Sequence, residues 1–400
     1  MDPRQTIRMN PGEGETSYAR NSTFQSAEQG RMKPLIEEAI TELCASLPCS
    51  MVIADLGCSC GPTALSLVSV AVDAICRQYI ELEQPMPELS LLLNDLPSND
   101  FNAVVNHMVA FRQRYGANVV EYCAPIVLIS VVPGSFYERL FTTASMHLVL
   151  SSTGFHRYEF YTIQPHMLCL LYSEAPEELV KNGIPMYYAD QQMWQKMRPI
   201  VLSAYAQQFR KDFMLFLETR AQETAPGGRM VLSLTGTGSH DPDKKSTRIW
   251  ERVGRMLDNM ASRDVIDKER LKNFYIPLHA PYENELKDII EEQGSFSICK
   301  IEEHNPTAGS TSDLINPKMA AYILRAGLES IIVEHFGPSE EAMDDFVRTA
   351  EQHMSPAYIQ KKHESDDTVF FALSLARKKI NPSSVPFHTC SLSFEQPNTT

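Results

Sequence analysis

Short apolar runs recur along the chain at 51–55, 88–94, 125–132, 146–151 and 228–235, with helix-spaced segments between them. A strand covered on both faces needs such continuous apolar sequence, so the alternation predicts a parallel, doubly wound α/β sheet. After Gly238 the texture turns to charged helical sequence from Asp243 through Glu292, followed by a strand at Phe296–Ile301. This reads as a helical cap inserted into the sheet order. Helices over 317–335 and 339–354 lead to a last strand at 368–375, which is expected to be an antiparallel edge strand of a mixed sheet. The tail from Ile380, rich in Pro, Ser and Thr, is expected to be disordered. The chain carries no internal repeat.

The end of the first strand turns this picture toward a ligand. Met51-Val-Ile-Ala-Asp55 runs into Leu-Gly57-Cys58-Ser-Cys-Gly61, and helix-like spacing resumes from Ala64. Gly57 and Gly61 let the backbone approach a bound molecule with no Cβ in the way. The spacing is not the Gly-x-Gly-x-x-Gly of dinucleotide binding, so a pyrophosphate is not the indicated ligand. An ordinary strand-to-helix turn is the other reading of this loop. In open α/β sheets ligands sit beyond the carboxyl ends of the strands. There the second strand ends in Asn94-Asp95-Leu96-Pro97, where Asp95 could accept bonds from a ribose diol or serve as a turn or cap residue. The third ends in Val132-Pro-Gly-Ser135-Phe136-Tyr137, which offers a hydroxyl and an aromatic wall.

Composition narrows the ligand class. A chain of 400 residues exceeds the roughly 250–300 at which one core stops growing, so a main domain with a second lobe is expected. With 36 basic against 50 acidic residues the net charge is −14, which argues against nucleic acid or an anionic membrane and for a small-molecule substrate. The nine cysteines form no zinc or disulfide spacing, which suits a reducing cytosolic compartment. The amino terminus lacks the apolar core of a signal peptide and no apolar stretch is long enough to span a membrane, so a soluble protein is expected.

Four motifs then point to a family. Met9-Asn-Pro-Gly-Glu-Gly-Glu-Thr-Ser-Tyr18-Ala-Arg-Asn-Ser22-Thr-Phe-Gln25, Asp55-Leu-Gly-Cys58, Leu93-Asn-Asp-Leu-Pro-Ser-Asn-Asp-Phe-Asn102 and Val132-Pro-Gly-Ser-Phe-Tyr137 closely resemble the plant SABATH methyltransferases. These methylate salicylate, benzoate, jasmonate, anthranilate, related acids and xanthine alkaloids. The resemblance extends to about residue 378 through Pro226-Gly-Gly-Arg-Met-Val231, Arg248-Ile-Trp250, Gly294-Ser-Phe296 and His335-Phe-Gly337. It implies a Rossmann-like S-adenosylmethionine-binding sheet with an α-helical cap. Residues 1–240 would form an amino-terminal arm and cofactor core, 241–330 a mainly helical substrate cap, 331–379 the elements completing the core, and 380–400 a tail. It further implies that Tyr18, Ser22, Asp55, Gly57, Cys58, Thr63, Asp95, Leu96, Ser135 and Phe136 contact S-adenosylmethionine. Asp95 would hold the ribose hydroxyls, Leu96 and Phe136 the adenine, and Cys58 and Tyr18 the methionine portion. On the acceptor side it implies Tyr18, Gln25, Ile249, Trp250, His279 and Leu324, with Gln25 positioning the substrate carboxylate. Relatives are usually homodimers.

The implied reaction is an in-line methyl transfer to a carboxylate. A carboxylic acid with a pKa near ~4 is already ionised at neutral pH, so no general base is required, and no Ser-His-Asp or Cys-His set stands out. Methylation of a ring nitrogen would call for a proton acceptor; His279, at a position where the family has Tyr, is the candidate, with a surface or cap histidine as the other reading. Several positions depart from the family. Its usual lysine is Asn10, and its usual asparagine after Gly-Pro is Thr63. Phe274-Tyr-Ile-Pro277 lacks the asparagine of the Phe-Asn-Ile-Pro motif near which some relatives bind magnesium, so the local motif gives a metal no support. The tryptophan that holds the substrate carboxylate in relatives, expected after the fourth strand, is absent: Ser151-Ser-Thr-Gly-Phe-His156-Arg157-Tyr158 stands there. Arg157, or His156 beside it, could supply a charged or hydrogen-bonding anchor. Alternatively residues 153–172 are foreign to the working enzyme, or the loop rearranges and another residue takes over.

Overall fold

The computed structural model describes residues 23–59, 64–116, 125–152, 175–238, 249–276, 278–304, 317–355 and 368–379. In chain order these form α1 (Thr23–Cys44), β1 (Ser50–Leu56), α2 (Ser66–Glu81), β2 (Glu88–Asp95), α3 (Phe101–Gly116), β3 (Val127–Pro133) and β4 (Met146–Ser152). Then follow α4 (Glu177–Asn182), α5 (Gln191–Glu223), β5 (Thr224–Thr237), α6 (Ile249–Ser262), α7 (Lys268–Leu271) and α8 (Glu283–Gln293). The chain continues with β6 (Phe296–His304), α9 (Pro317–Phe336), α10 (Glu340–His353) and β7 (Thr368–Arg377). The strands make one seven-stranded sheet in the order β3-β2-β1-β4-β5-β7-β6.

Strands β1 to β5 are parallel, and their side chains alternate between two apolar layers. Met51 and Ile53 of β1 pack with Leu35, Ile36 and Ile40 of α1 and Val68, Val72 and Ile75 of α2, whereas Ala54 and Leu56 face the larger cluster built from α5, α6, α8, α9 and α10. Burial on both faces is why these strands read as unbroken apolar runs. Helix α6 places Trp250, Val253, Met256, Leu257 and Met260 at helical spacing on its buried side. Helix α5 starts where the Asp190 carboxylate accepts the Met193 N–H at 2.7 Å.

One expectation is corrected. Strand β7 is antiparallel to β5, but it lies inside the sheet, between β5 and β6. Val369, Phe370, Phe371, Ala372, Leu373 and Leu375 are all buried, which suits a strand with neighbours on both sides. The outer position belongs to β6, whose Ser297, Lys300, Glu302 and Glu303 tolerate an edge. Strand β5 also begins earlier than its apolar run, at Thr224, and carries an irregularity at Gly227, φ 83°, where its register with β4 shifts.

Candidate cofactor and acceptor site

The sheet order reverses between β1 and β4, so their carboxyl ends open a crevice at the topological switch point. Asp55, near the end of β1, and Asp95, closing β2, are each only 3% exposed. Asp95 is held from both sides: the Ser59 N–H donates to Oδ2 at 2.7 Å and the Leu96 N–H to Oδ1 at 2.8 Å. Burial nevertheless pushes its carboxyl up to about 6. Burial, and then the Asp95 charge, pushes Asp55 well above the usual carboxylate range. With its two N–H donors Asp95 is the member of the pair that keeps its charge, and Asp55 takes the proton first.

Asn94 ties the strand ends together. Its carbonyl accepts the N–H groups of Gly57 and Cys58, each at 2.9 Å, and its side-chain amide donates to the carbonyls of Val132 at 2.8 Å and Gly134 at 2.9 Å. Gly57 has φ 74° and Ser59 φ 66°; for Ser59, buried and bearing a Cβ, this left-handed backbone stores strain in the turn just beyond β1. Asn99 donates to the Ser59 carbonyl at 3.1 Å and fixes that turn. Beyond β3, the Ser135 hydroxyl accepts the Tyr137 N–H at 3.3 Å, and the buried Phe136 ring stands edge-on to Phe216 at 6.1 Å. Asp55, Gly57, Cys58, Asp95, Leu96, Ser135 and Phe136 therefore converge on adjacent strand ends. Tyr18, Ser22, Thr63, His156 and Arg157, with the 153–172 segment and the tail from 380, lie outside the described residues. So do the side chains of Gln25 and Ile249, whose backbones begin α1 and α6.

A family model described as SAM dependent carboxyl methyltransferase matches residues 4–378. The chain belongs to this family. It is 39% identical over 364 residues to a probable jasmonic acid carboxyl methyltransferase 1 of Theobroma cacao, covering 88% of this chain and 94% of the relative. It is 32% identical over 388 residues to an S-adenosyl-L-methionine:benzoic acid/salicylic acid carboxyl methyltransferase of Petunia hybrida, covering 95% and 100%. Among solved structures, a loganic acid methyltransferase with S-adenosylhomocysteine superposes with a TM-score of 0.72 at 25% identity, covering 93% of this chain and 99% of that one. The protein is thus a plant-type SABATH carboxyl methyltransferase that depends on S-adenosylmethionine.

The site of this methyltransferase fits that cofactor. Each Asp95 oxygen accepts one N–H and retains a lone pair, so the carboxylate can still take two hydroxyls of a diol. Asp55 accepts no hydrogen bond from a described residue, which leaves a second buried acceptor beside it. Of the residues expected on the acceptor side, Trp250 is fully buried, stacked on Tyr205 at 4.8 Å and edge-on to Trp194 at 6.1 Å. Leu324 of α9 is also fully buried in the larger cluster. The His279 Nε2 lies 3.0 and 3.1 Å from the two Glu285 oxygens, and its ring packs on Phe209 at 5.2 Å. Among the described residues no group of three or more His, Cys, Asp or Glu could hold a metal. No described helix is long and apolar enough to cross a membrane.

Sequence reasoning missed the pair that braces this site from below. Arg220, fully buried in α5, donates to the carbonyls of Phe136 at 2.8 Å and Glu138 at 2.9 Å, and its Nε lies 2.8 Å from Glu223. Glu223 in turn accepts the N–H groups of Leu140 at 2.6 Å and Phe141 at 2.9 Å. Arg220 inside the apolar run from Phe213 to Ala221, with Glu223 just beyond it, was the available signal, since buried charges are found paired.

Proposed function

We propose that this methyltransferase esterifies the carboxyl group of a small aromatic or related acid, with jasmonate-type acids included because the Theobroma cacao relative is named for one. The family membership carries the reading, and the convergence of Asp55, Asp95 and Phe136 at the strand ends supports it. When bound, S-adenosylmethionine supplies a methyl group activated by its sulfonium. In our reading Asp95 accepts the ribose hydroxyls, Leu96 and Phe136 flank the adenine, and Asp55, Gly57, Cys58, Tyr18, Ser22, Thr63 and Ser135 complete the donor side. Gln25 orients the acceptor carboxylate, with Ile249, Trp250, His279 and Leu324 shaping the cap side. The acid arrives ionised, so these residues act by alignment and exclusion of water, where good orientation is worth effective molarities of ~10⁵–10⁸ M. A cytoplasmic homodimer is the assembly we propose.

A second reading, a cofactor-binding relative with an impaired acceptor site, is favoured by one observation. The chain has only Trp194 and Trp250, and both are engaged in the same aromatic stack, so neither replaces the tryptophan missing after β4. The deciding assay is transfer of labelled methyl to benzoate, salicylate, anthranilate, jasmonate and loganate, with xanthosine as the ring-nitrogen acceptor, alongside calorimetric cofactor binding. We expect ester formation with at least one acid. Binding without transfer to any acid would sink the leading reading, and transfer to xanthosine alone would replace it with N-methylation.

A further inference from the structure

A buried carboxylate in α1 takes no part in the roles proposed above. Glu28 is fully buried three positions after Gln25, and it collects donors from three elements. The Ser233 hydroxyl of β5 donates to Oε1 at 2.7 Å, His304 Nδ1 of β6 lies 3.2 Å from the same oxygen, and Arg31 of α1 donates to Oε2 at 3.3 Å. The other ring nitrogen of His304 lies 3.2 Å from Glu302 Oε2, and Glu302 is itself paired with Lys300 at 2.7 Å. Lys300 also lies 4.0 Å from Glu38 of α1. The β7 residue in register with His304 is Phe370, which carries no charge.

This arrangement specifies a protonation state. A neutral imidazole donates one N–H, whereas His304 has a carboxylate oxygen at hydrogen-bond distance from each ring nitrogen. In the neutral form one of the two carboxylates faces a lone pair; only the imidazolium donates to both. We propose that Glu28 and His304 form a charge-assisted clasp that fixes the first turn of α1, where Gln25 stands, against the sheet edge, so that acceptor binding requires protonated His304. The effect on the acceptor rests on the positioning role proposed for Gln25; the clasp itself does not. Both are positioning residues. The hydrogen bond to Glu28, then the Glu28 charge and the Glu302 contacts, raise His304 above its ordinary value in spite of burial. The imidazolium therefore persists below that raised value and is lost as pH rises through it.

The full-length protein provides the test. Amide hydrogen exchange over residues 23–31, corrected for the intrinsic pH dependence of exchange, reads the clasp across about pH 6 to pH 9 with no acceptor present. Protection is expected to fall as His304 deprotonates, with its NMR titration midpoint above the unperturbed value of about 6.5. In His304→Gln and Glu28→Gln the protection is low and the step is gone. At saturating S-adenosylmethionine the wild-type KM for an accepted acid rises about tenfold over the same interval with kcat little changed, and His304→Gln shows the high KM throughout. The acid stays ionised across this range, so its own titration does not contribute. A flat wild-type exchange profile, or a His304 midpoint at or below the unperturbed value, overturns the clasp even if the variants do not fold. An exchange step without a matching KM step overturns the link to the acceptor. An exchange step in a protein that methylates no acid upholds the clasp and counts against the acceptor reading instead.

Discussion

Asp95 is the residue on which cofactor affinity is expected to turn. Its carboxyl, pushed up to about 6 by burial, must be ionised to accept two ribose hydroxyls. The proton that competes with the ligand stabilises the free protein: that contribution is complete below the ordinary carboxylate value and is lost as pH rises through about 6. Binding has the opposite slope. Calorimetry is expected to give a dissociation constant for S-adenosylmethionine about tenfold weaker at pH 5 than at pH 7, the penalty for displacing one proton a unit below its midpoint. Asp95→Asn should weaken binding by about tenfold or more at pH 7, since hydrogen bonds to charged groups are worth ~1.5–3 kcal/mol and the amide also leaves Ser59 or Leu96 without its acceptor. A pH-independent affinity would remove Asp95 from the ribose.

At the scale of elements, the loop after β3 owes its shape to the carboxyl end of α5. Arg220→Met deletes the donors to the Phe136 and Glu138 carbonyls and leaves the buried Glu223 with only the more exposed Arg139, at 3.7 Å, as counter-charge. A loss of ~3–5 kcal/mol in denaturant unfolding is expected, together with weaker cofactor binding. The double variant Arg220→Met with Glu223→Gln should recover part of the stability but not the loop contacts, and strict additivity of the two changes would argue against a coupled pair. Between β5 and β7, a Cβ added at Gly236 would overlap the Phe371 ring and approach the Pro281 carbonyl to 2.9 Å. Gly236→Ala should therefore cost ~1–3 kcal/mol in the same measurement, and an unchanged midpoint would mean that Phe371 can turn aside. These elements also separate what can be read from sequence from what cannot. Parallel strands buried on both faces announce themselves as apolar runs, and the candidate ligand residues cluster at their carboxyl ends, so the convergence of Asp55, Asp95 and Phe136 is legible locally. Strand order is not: β7 and the edge strand β6 differ only in whether polar residues interrupt them. Glu28 and His304 stand 276 positions apart, and neither residue type announces the other.

Across the whole molecule, most of the proposed donor residues come from one continuous stretch through β1, β2 and β3, joined by Tyr18 and Ser22 from before α1, while the proposed acceptor residues come mainly from α1 and from the cap side of the sheet. Replacing residues 249–293 by the corresponding segment of the Theobroma cacao relative should shift acid preference in competition assays. Cofactor affinity should stay within about threefold, because distant sites couple weakly. A chimera that loses the cofactor would show that the two halves are not separable. The cross-links centred on Asn94 give this division its physical basis. Three strand termini are joined within the chain by a backbone carbonyl and one side-chain amide, so the fold itself holds them together and little ordering entropy of these termini is left for binding to overcome. A lineage built on such a scaffold can change which acid it accepts, or lose acceptance altogether, while its grip on the methyl donor is inherited intact.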